Sequence, residues 1–329
     1  MSNAAARAAR PRRIDPASLA PFAALAVLVL VGTLLNARFL APDNIANVVT
    51  RASFIAVIGI GATFVIAAGG LDLSVGSMSA FIGGSAILLS NASAGHGLGT
   101  ALAVGGLVAI GGGALCGLAN GLVITVGRLE AFIVTLGSMG IFRALTTYLA
   151  QGGSLSLTPD ALQDLVRPVY FGSVLGMPVP VLVFALLGGV AWVVLNRTPF
   201  GRHVVAIGAN EEVARYSSVA IGRVRTLTYV IQGGCVGIAT ILYVPRLSSV
   251  TPTSGLLWEL QAITAVVIGG TSLRGGNGRI WGTIAGALVL ESVANIMVLS
   301  NLVSEYLIGA VQGAIIIVAM LVQRSLRRN

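Results

Sequence analysis

The sequence predicts an all-α integral membrane protein of about ten transmembrane helices, with both termini cytoplasmic. Three observations carry this. Hydrophobic residues make up 56% of the 329 and charged residues only 9%, against about 25% charged in a soluble domain. The apolar residues fall into runs near the ~20 needed to cross a ~30 Å hydrocarbon core. The arginines concentrate on one side of those runs. Such a chain cannot coat a water-facing globule, which excludes a soluble enzyme, a nucleic-acid-binding domain and a disordered protein.

The elements follow in order. Residues 1–19 form a cytoplasmic tail carrying Arg7, Arg10, Arg12 and Arg13. This basic stretch before an apolar run has the outline of a secretory leader. The run ends in Leu34-Leu35-Asn36-Ala37-Arg38, without the small-residue cleavage pattern, so it reads as an uncleaved first span. The membrane domain occupies 20–322, with spans at 20–36, 52–69, 74–90, 100–125, 131–150, 178–195, 227–245, 258–270, 281–300 and 305–322. The eighth is short and reads as tilted, broken or partly re-entrant. A second cytoplasmic tail occupies 323–329.

The net charge of +9 arises from 20 basic and 11 acidic residues, and every basic residue is arginine. With ten spans and an inside N-terminus, the inner segments hold Arg7, Arg10, Arg12, Arg13, Arg128, Arg197, Arg202, Arg215, Arg223, Arg225, Arg274, Arg279, Arg324, Arg327 and Arg328. Arg38, Arg51, Arg167 and Arg246 fall outside, and Arg143 lies within the fifth span. The positive-inside rule fits this topology. The charge is therefore a topology signal and not a nucleic-acid footprint. Without lysine the chain has no P-loop. Cys116 and Cys235 sit in apolar stretches as structural thiols, and His96 and His203 lie in separate loops, which leaves little for a metal site or a catalytic triad.

Glycine, at 43 residues, is nearly twice its usual ~7%. Gly113, Gly117 and Gly121 share a face of the fourth span, Gly233 and Gly237 of the seventh, Gly282 and Gly286 of the ninth, and Gly309 and Gly313 of the tenth. Each face admits a neighbouring backbone. Two further glycine runs interrupt the spans, at Gly69-Gly70 and at Gly269-Gly270. Both take the form apolar span, Gly-Gly, polar turn, next span, which hints at a parallel internal repeat.

Two loops stand out. The inner loop 196–226 is the longest inside segment. Asn210 is a good N-cap there, and Glu211 and Glu212 suit the positive end of a helix running to about Ser218 and closed by Gly222. That helix reads as a dock for a cytoplasmic partner, with a plain linker as the alternative. The outer loop 151–177 mixes turn formers with a short amphipathic piece, and reads as a contact for an external partner or as a solvated connector.

Ionisable residues at membrane depth are costly and usually face a cavity or each other. Asp72 lies between two spans, where Asp72, Ser74 and Ser77 could cap the third span or line a polar path. Arg143 lies along the fifth span, Glu259 opens the eighth, and Glu291 is mid-way along the ninth. A pairing of Arg143 with one of the acids is a reasonable expectation.

Four ordered motifs bring a resemblance. Gly69-Gly70-Leu71-Asp72-Leu73-Ser74-Val75-Gly76-Ser77 resembles the GG(I/L)DLSVGS signature of ribose/xylose-type ABC importer permeases. Phe132 to Ser138 resembles their PFIVTLGT segment, with Ala131 where proline is usual. Phe200 to Ala214 is similar to their FGRxxxAIGGNxxAA loop, and Glu259 to Leu273 to their ELxAIAAVVIGGTSL segment. The likeness extends over about 20–322.

The resemblance implies a multi-pass subunit of the bacterial inner membrane. It also implies a second permease subunit (a copy or a paralogue), a cytoplasmic ATP-binding subunit and a periplasmic sugar-binding protein. This chain would hold no cofactor, since ATP and Mg would be bound by the ATPase. The chain would be no enzyme but a passive pathway for a ribose- or xylose-like monosaccharide, gated by its partners within surrounding lipid. Carried over by position, Gly201, Arg202, Gly208, Asn210, Glu211, Glu212, Ala214 and Arg215 would couple to the ATPase, although Ser217-Ser218 replaces the usual Ser-Gly. Asp72, Ser74, Ser77, Thr135, Arg143, Gly269, Gly270, Thr271 and Ser272 are the candidates for pathway or gate. The competing readings are a related permease for nucleosides or branched-chain amino acids, and an ion-coupled secondary transporter.

Overall fold

The computed structural model describes residues 19–301 together with 307, 309–311, 313–315 and 317. Helices dominate it: α1 (Ala20–Leu35), α2 (Pro42–Ala67), α3 (Val75–Ser93), α4 (Leu98–Gly127), α5 (Ala131–Leu149), α6 (Asp160–Phe171), α7 (Val179–Arg197), α8 (Pro199–Ala209), α9 (Glu211–Tyr216), α10 (Ile221–Leu247), α11 (Trp258–Ile268) and α12 (Ile280–Ser300). Four two-residue strands accompany them. β1 (Leu155–Ser156) pairs antiparallel with β4 (Ser249–Val250), and β2 (Ser173–Val174) with β3 (Met177–Pro178). Proline stands in the first turn of α1, α2, α7 and α8, where its missing N–H costs nothing.

Among the described residues, seven helices are long and apolar enough to cross a membrane: α2, α3, α4, α5, α7, α10 and α12. The first and eighth predicted spans are shorter. The 16 residues of α1 measure about 24 Å and the 11 of α11 about 17 Å. Most of the tenth, 305–322, lies outside the described residues, as do the tails at 1–18 and 323–329.

Helix α10 is the central post. It packs along α4 and α2, and touches α3, α6 and α8. Its seam with α4 is bare backbone. A Cβ on Gly233 would lie 2.0 Å from the Gly113 carbonyl oxygen, and one on Gly117 would lie 2.1 Å from that of Tyr229. One on Gly237 would lie 2.3 Å from that of Ala109. Lipid gives helices little hydrophobic reason to associate, so close packing of this kind supplies the attraction. Gly282 and Gly286 do the same against Gly269 and Ala265, whereas Gly309 and Gly313 face open space among the described residues.

The inner loop 196–226 proves to be mostly helical. Thr198 caps α8 by accepting from Gly201 N–H, and Asn210 caps α9 by accepting from Val213 N–H at 3.0 Å. Gly222 closes neither helix and belongs to the first turn of α10. α9 stops at Tyr216 because Ser218 adopts a left-handed φ of 58°. The outer loop 151–177 contains the amphipathic α6, which buries Leu162 and Val166.

The two Gly-Gly breaks close their helices identically. Gly69 (φ 82°) and Gly270 (φ 86°) each donate back three residues, to Ile66 and Val267, and the next residues donate five back, to Val65 and Val266. Both breaks thus end their helix with the same kind of C-terminal cap, set one residue later in the second Gly-Gly pair.

Candidate functional site

Two helix N-termini meet inside the bundle. Past Gly70 the chain is extended to Ser74, and α3 begins only at Val75. Ser79, one turn on, hydrogen-bonds Thr240 at 2.8 Å, well along α10, so α3 starts inside the bundle and not at its end. On the other side, residues 251–257 form turns that fold back into the protein, and α11 begins at Trp258. The two N-termini touch at Gly76 and Gly255. A Cβ on Gly76 would lie 2.1 Å from the Gly255 carbonyl oxygen and 2.7 Å from Glu259 Oε2. Irregular backbone at such depth is tolerated only where protein or water covers it.

Each N-terminus carries a partial positive charge, and each has a buried carboxylate beside it. Asp72 precedes α3 and is 6% exposed; Glu259 lies in the first turn of α11 and is 8% exposed. Asp72 Oδ1 accepts from both the N–H and the hydroxyl of Ser74, at 2.9 and 2.6 Å. Asn120 of α4 donates to Ser74 Oγ at 3.0 Å, and Ser138 of α5 donates to Asn120 Oδ1 at 2.6 Å. One polar chain so joins the break to α4 and α5. Ser77 donates to the Ser74 carbonyl. Asp72 Oδ2 and Glu259 Oε2 have no hydrogen-bond partner among the described residues. A buried polar atom left alone is expensive, which marks both as waiting for a donor.

Among the described residues Arg143 of α5 forms no ion pair, against the pairing expected from the sequence. Its Nη1 donates to the carbonyls of Pro252 and Ser254 (2.9 Å to the latter), so it holds the folded-back segment. The acid of α12, Glu291, faces Arg51 of α2 at 3.6 Å instead. Thr135 is buried with its hydroxyl spent on the Ala131 carbonyl of its own helix.

Two hollows lie near the ends of α5. Toward the α6 end, Gly140, Arg143, Thr147, Tyr148 and Gln151 line an open groove on its surface. Toward the α8 end, Gly69, Arg128, Glu130, Glu211, Arg215 and Arg225 line a hollow of about 740 Å³.

The remaining predicted residues assemble at the α8 end. A Cβ on Gly208 would lie 1.9 Å from the Ala67 carbonyl oxygen and 2.5 Å from Gly276 N. Gly276 N–H donates to that same Ala67 carbonyl, and Gly275 (φ 83°) lies against Gly208 and Gly69. α8 therefore rests on both Gly-Gly breaks at once. In the second break Thr271 Oγ1 accepts from Arg279 N–H and Ser272 Oγ from Arg274 N–H, which shapes the turn into α12. Gly201 packs against the Leu195 carbonyl and Ala214 is buried, while Arg202 and Glu212 are exposed. Glu211 accepts from Arg225 at 2.6 Å and from Arg215 at 3.1 Å. The Arg225 hydrogen bond, with both guanidinium charges, holds the Glu211 carboxyl below the usual glutamate range against a modest burial.

The family described as branched-chain amino acid transport system / permease component matches residues 44–320. The chain belongs to this family. Its relatives include the ribose import permease RbsC of Haemophilus influenzae, 36% identical over 91% of each chain. The Bacillus subtilis protein of that name is 39% identical over 93% of this chain and 92% of its own. The D-allose transport system permease AlsC of Escherichia coli is 33% identical over 92% of this chain and 90% of its own. No solved structure matches the chain. This permease is accordingly a multi-pass membrane component of a transport system.

Sequence reasoning singled out Asp72, Ser74 and Ser77, which the permease gathers at one break. It missed Asn120, Ser138 and Gln232, and ranked Glu259 only as an intramembrane acid. Gln232 is wholly buried in α10 with neither amide atom bonded among the described residues. A lone amide inside an apolar span was the available signal for Asn120 and Gln232.

Proposed function

We propose that this permease forms the membrane pathway of an ATP-driven importer for a monosaccharide, and that the pathway runs along α5 through the Asp72–Glu259 constriction. The buried, unpartnered oxygens of Asp72 and Glu259 carry the reading, with open hollows near either end of α5. Such oxygens suit the hydroxyl groups of a sugar, which can donate to each. Relatives named for ribose, D-allose, fructose and L-arabinose support the class of solute. The positive-inside count supports placing α8, α9 and both termini in the bacterial cytoplasm. There α8 and α9 would seat the ATPase, which binds ATP and Mg. The α6 end would face a periplasmic sugar-binding protein, and a second permease subunit would complete the pathway along the exposed side of α5.

The family description names branched-chain amino acids, so the two solutes must be told apart. Deleting the gene in its native host should lower uptake of one radiolabelled sugar among D-ribose, D-allose, D-fructose and L-arabinose by roughly tenfold, and leave leucine uptake unchanged. Lost leucine uptake with all four sugars intact would overturn the sugar reading.

The constriction has its own test. Asp72→Asn keeps an oxygen for Ser74 N–H but removes the charge at the α3 N-terminus, which is worth ~2 kcal/mol at most. Uptake by the assembled transporter should fall about tenfold, by the loss of one charge-assisted hydrogen bond of ~1.5–3 kcal/mol, with the thermal transition nearly unmoved. Wild-type uptake would remove Asp72 from the pathway.

A further inference from the structure

We propose that residues 251–257 are the outer gate of the pathway, and that Arg143 keeps the gate shut by bonds it can exchange for a bond to Glu259. The inference rests on reading α5 as a pathway wall.

Four observations converge on it. The segment has no helix or strand and carries left-handed residues at Gly255 (φ 70°) and at its end, Leu257 (φ 66°). A leucine in that region is strained. Such joints absorb the backbone change of a moving segment. Its surroundings are fixed. β4 pairs with β1, and Trp258 stacks edge-on against Tyr243 at 4.9 Å, which in turn meets Phe54 at 5.6 Å. What can move therefore lies between Val250 and Trp258.

The seal is the backbone contact of Gly255 with Gly76, the residue before the wholly buried Ser77. The latch is Arg143, whose single Nη1 makes both bonds to the segment, at Pro252 and Ser254. The alternative seat is Glu259. Its Oε2 is buried, unpartnered among the described residues, and within Coulombic reach of Arg143. An arginine–carboxylate pair is about twice as strong as a neutral hydrogen bond, so both positions of the guanidinium are satisfied states. Two satisfied positions make a bistable element rather than a soft one.

The test is reactivity toward a membrane-impermeant maleimide added from the periplasmic side. It uses the full-length permease in its complex, with Cys116 and Cys235 replaced by serine. A reporter Ser77→Cys should react slowly in the parent and about tenfold faster with Arg143→Ala, an opening of ~1.4 kcal/mol. Arg143→Lys, which still donates to both carbonyls, should stay near the parent rate. Glu259→Gln should leave this reporter thiol protected while uptake falls. Equal labelling with and without Arg143→Ala would overturn the latch. Labelling raised as much by Glu259→Gln as by Arg143→Ala would overturn the exchange, since both residues would then only hold the fold. A second reporter, Thr147→Cys in the α5 groove, separates the two readings. If it too resists the reagent, the groove is not open to the outside and the pathway reading falls with the gate. If it labels while the first reporter is indifferent to Arg143→Ala, only the gate falls.

Discussion

Gly233→Val is expected to lower the yield of monodisperse, detergent-extracted permease by roughly tenfold or more, whereas Gly234→Val changes it little. The two glycines are neighbours on α10. Around Gly234 a Cβ would meet nothing within 4 Å, while on Gly233 it would lie 2.0 Å from the Gly113 carbonyl oxygen. The obstacle is main chain, so no rotamer change relieves it, and the helices must separate. Separation breaks the neighbouring contacts at Gly117 and Gly237 as well. Overpacking in a core costs ~1–3 kcal/mol where side chains can give way, and this seam has none that can. Size-exclusion profiles of the two variants, expressed side by side, check the prediction. Equal yields would mean that the α4–α10 seam is not what holds the bundle.

Arg225→Ala is expected to leave ATP hydrolysis by the assembled transporter largely intact and to lower solute uptake by about tenfold, a loss of ~1.4 kcal/mol of coupling. Glu211 opens α9 and Arg225 lies in the first turns of α10, so their 2.6 Å bond ties the proposed ATPase seat to the central post. The Glu211 side chain is 41% exposed, and such ion pairs add only ~0–1 kcal/mol to stability. The thermal transition should therefore barely move, which separates transmission from folding. The paired exchange Glu211→Arg with Arg225→Glu should recover most of the uptake, although arginine at an N-terminus costs ~0.3–1 kcal/mol. Failure of the exchange alongside a normal fold would dismiss the strut. Because the Glu211 carboxyl is held below its usual range, its stabilising pair is complete above the ordinary glutamate value and is lost only as pH falls through the depressed one. Coupling should be flat through neutral pH and weaken only in acid.

The membrane helices were legible because their signals are local. Low charge, apolar runs, the small-residue faces at Gly113, Gly117 and Gly233, and the Asn210 cap are each readable within one or two helical turns. α8 carries an equally local signal in Thr198-Pro199, an N-cap followed by an N1 proline. The centre of the site was not legible. Arg143 finds Pro252 and Ser254, and Asn120 finds Ser74, through folding that no local pattern encodes. The expected Arg143–acid pairing failed for a related reason. Charge suggests a charged partner, but the folded-back segment offers bare carbonyls at closer range.

At Gly69, Gly208 and Gly275 the proposed ATPase seat meets the two glycine breaks main chain to main chain. A contact made of main chain has no length to adjust and nothing for drift to tune, so it must be inherited whole. The parts proposed to meet cargo, around Asp72, Glu259 and the segment after Val250, are built from side chains and turns, and can change without disturbing it. Relatives named for four different sugars fit such a division of labour.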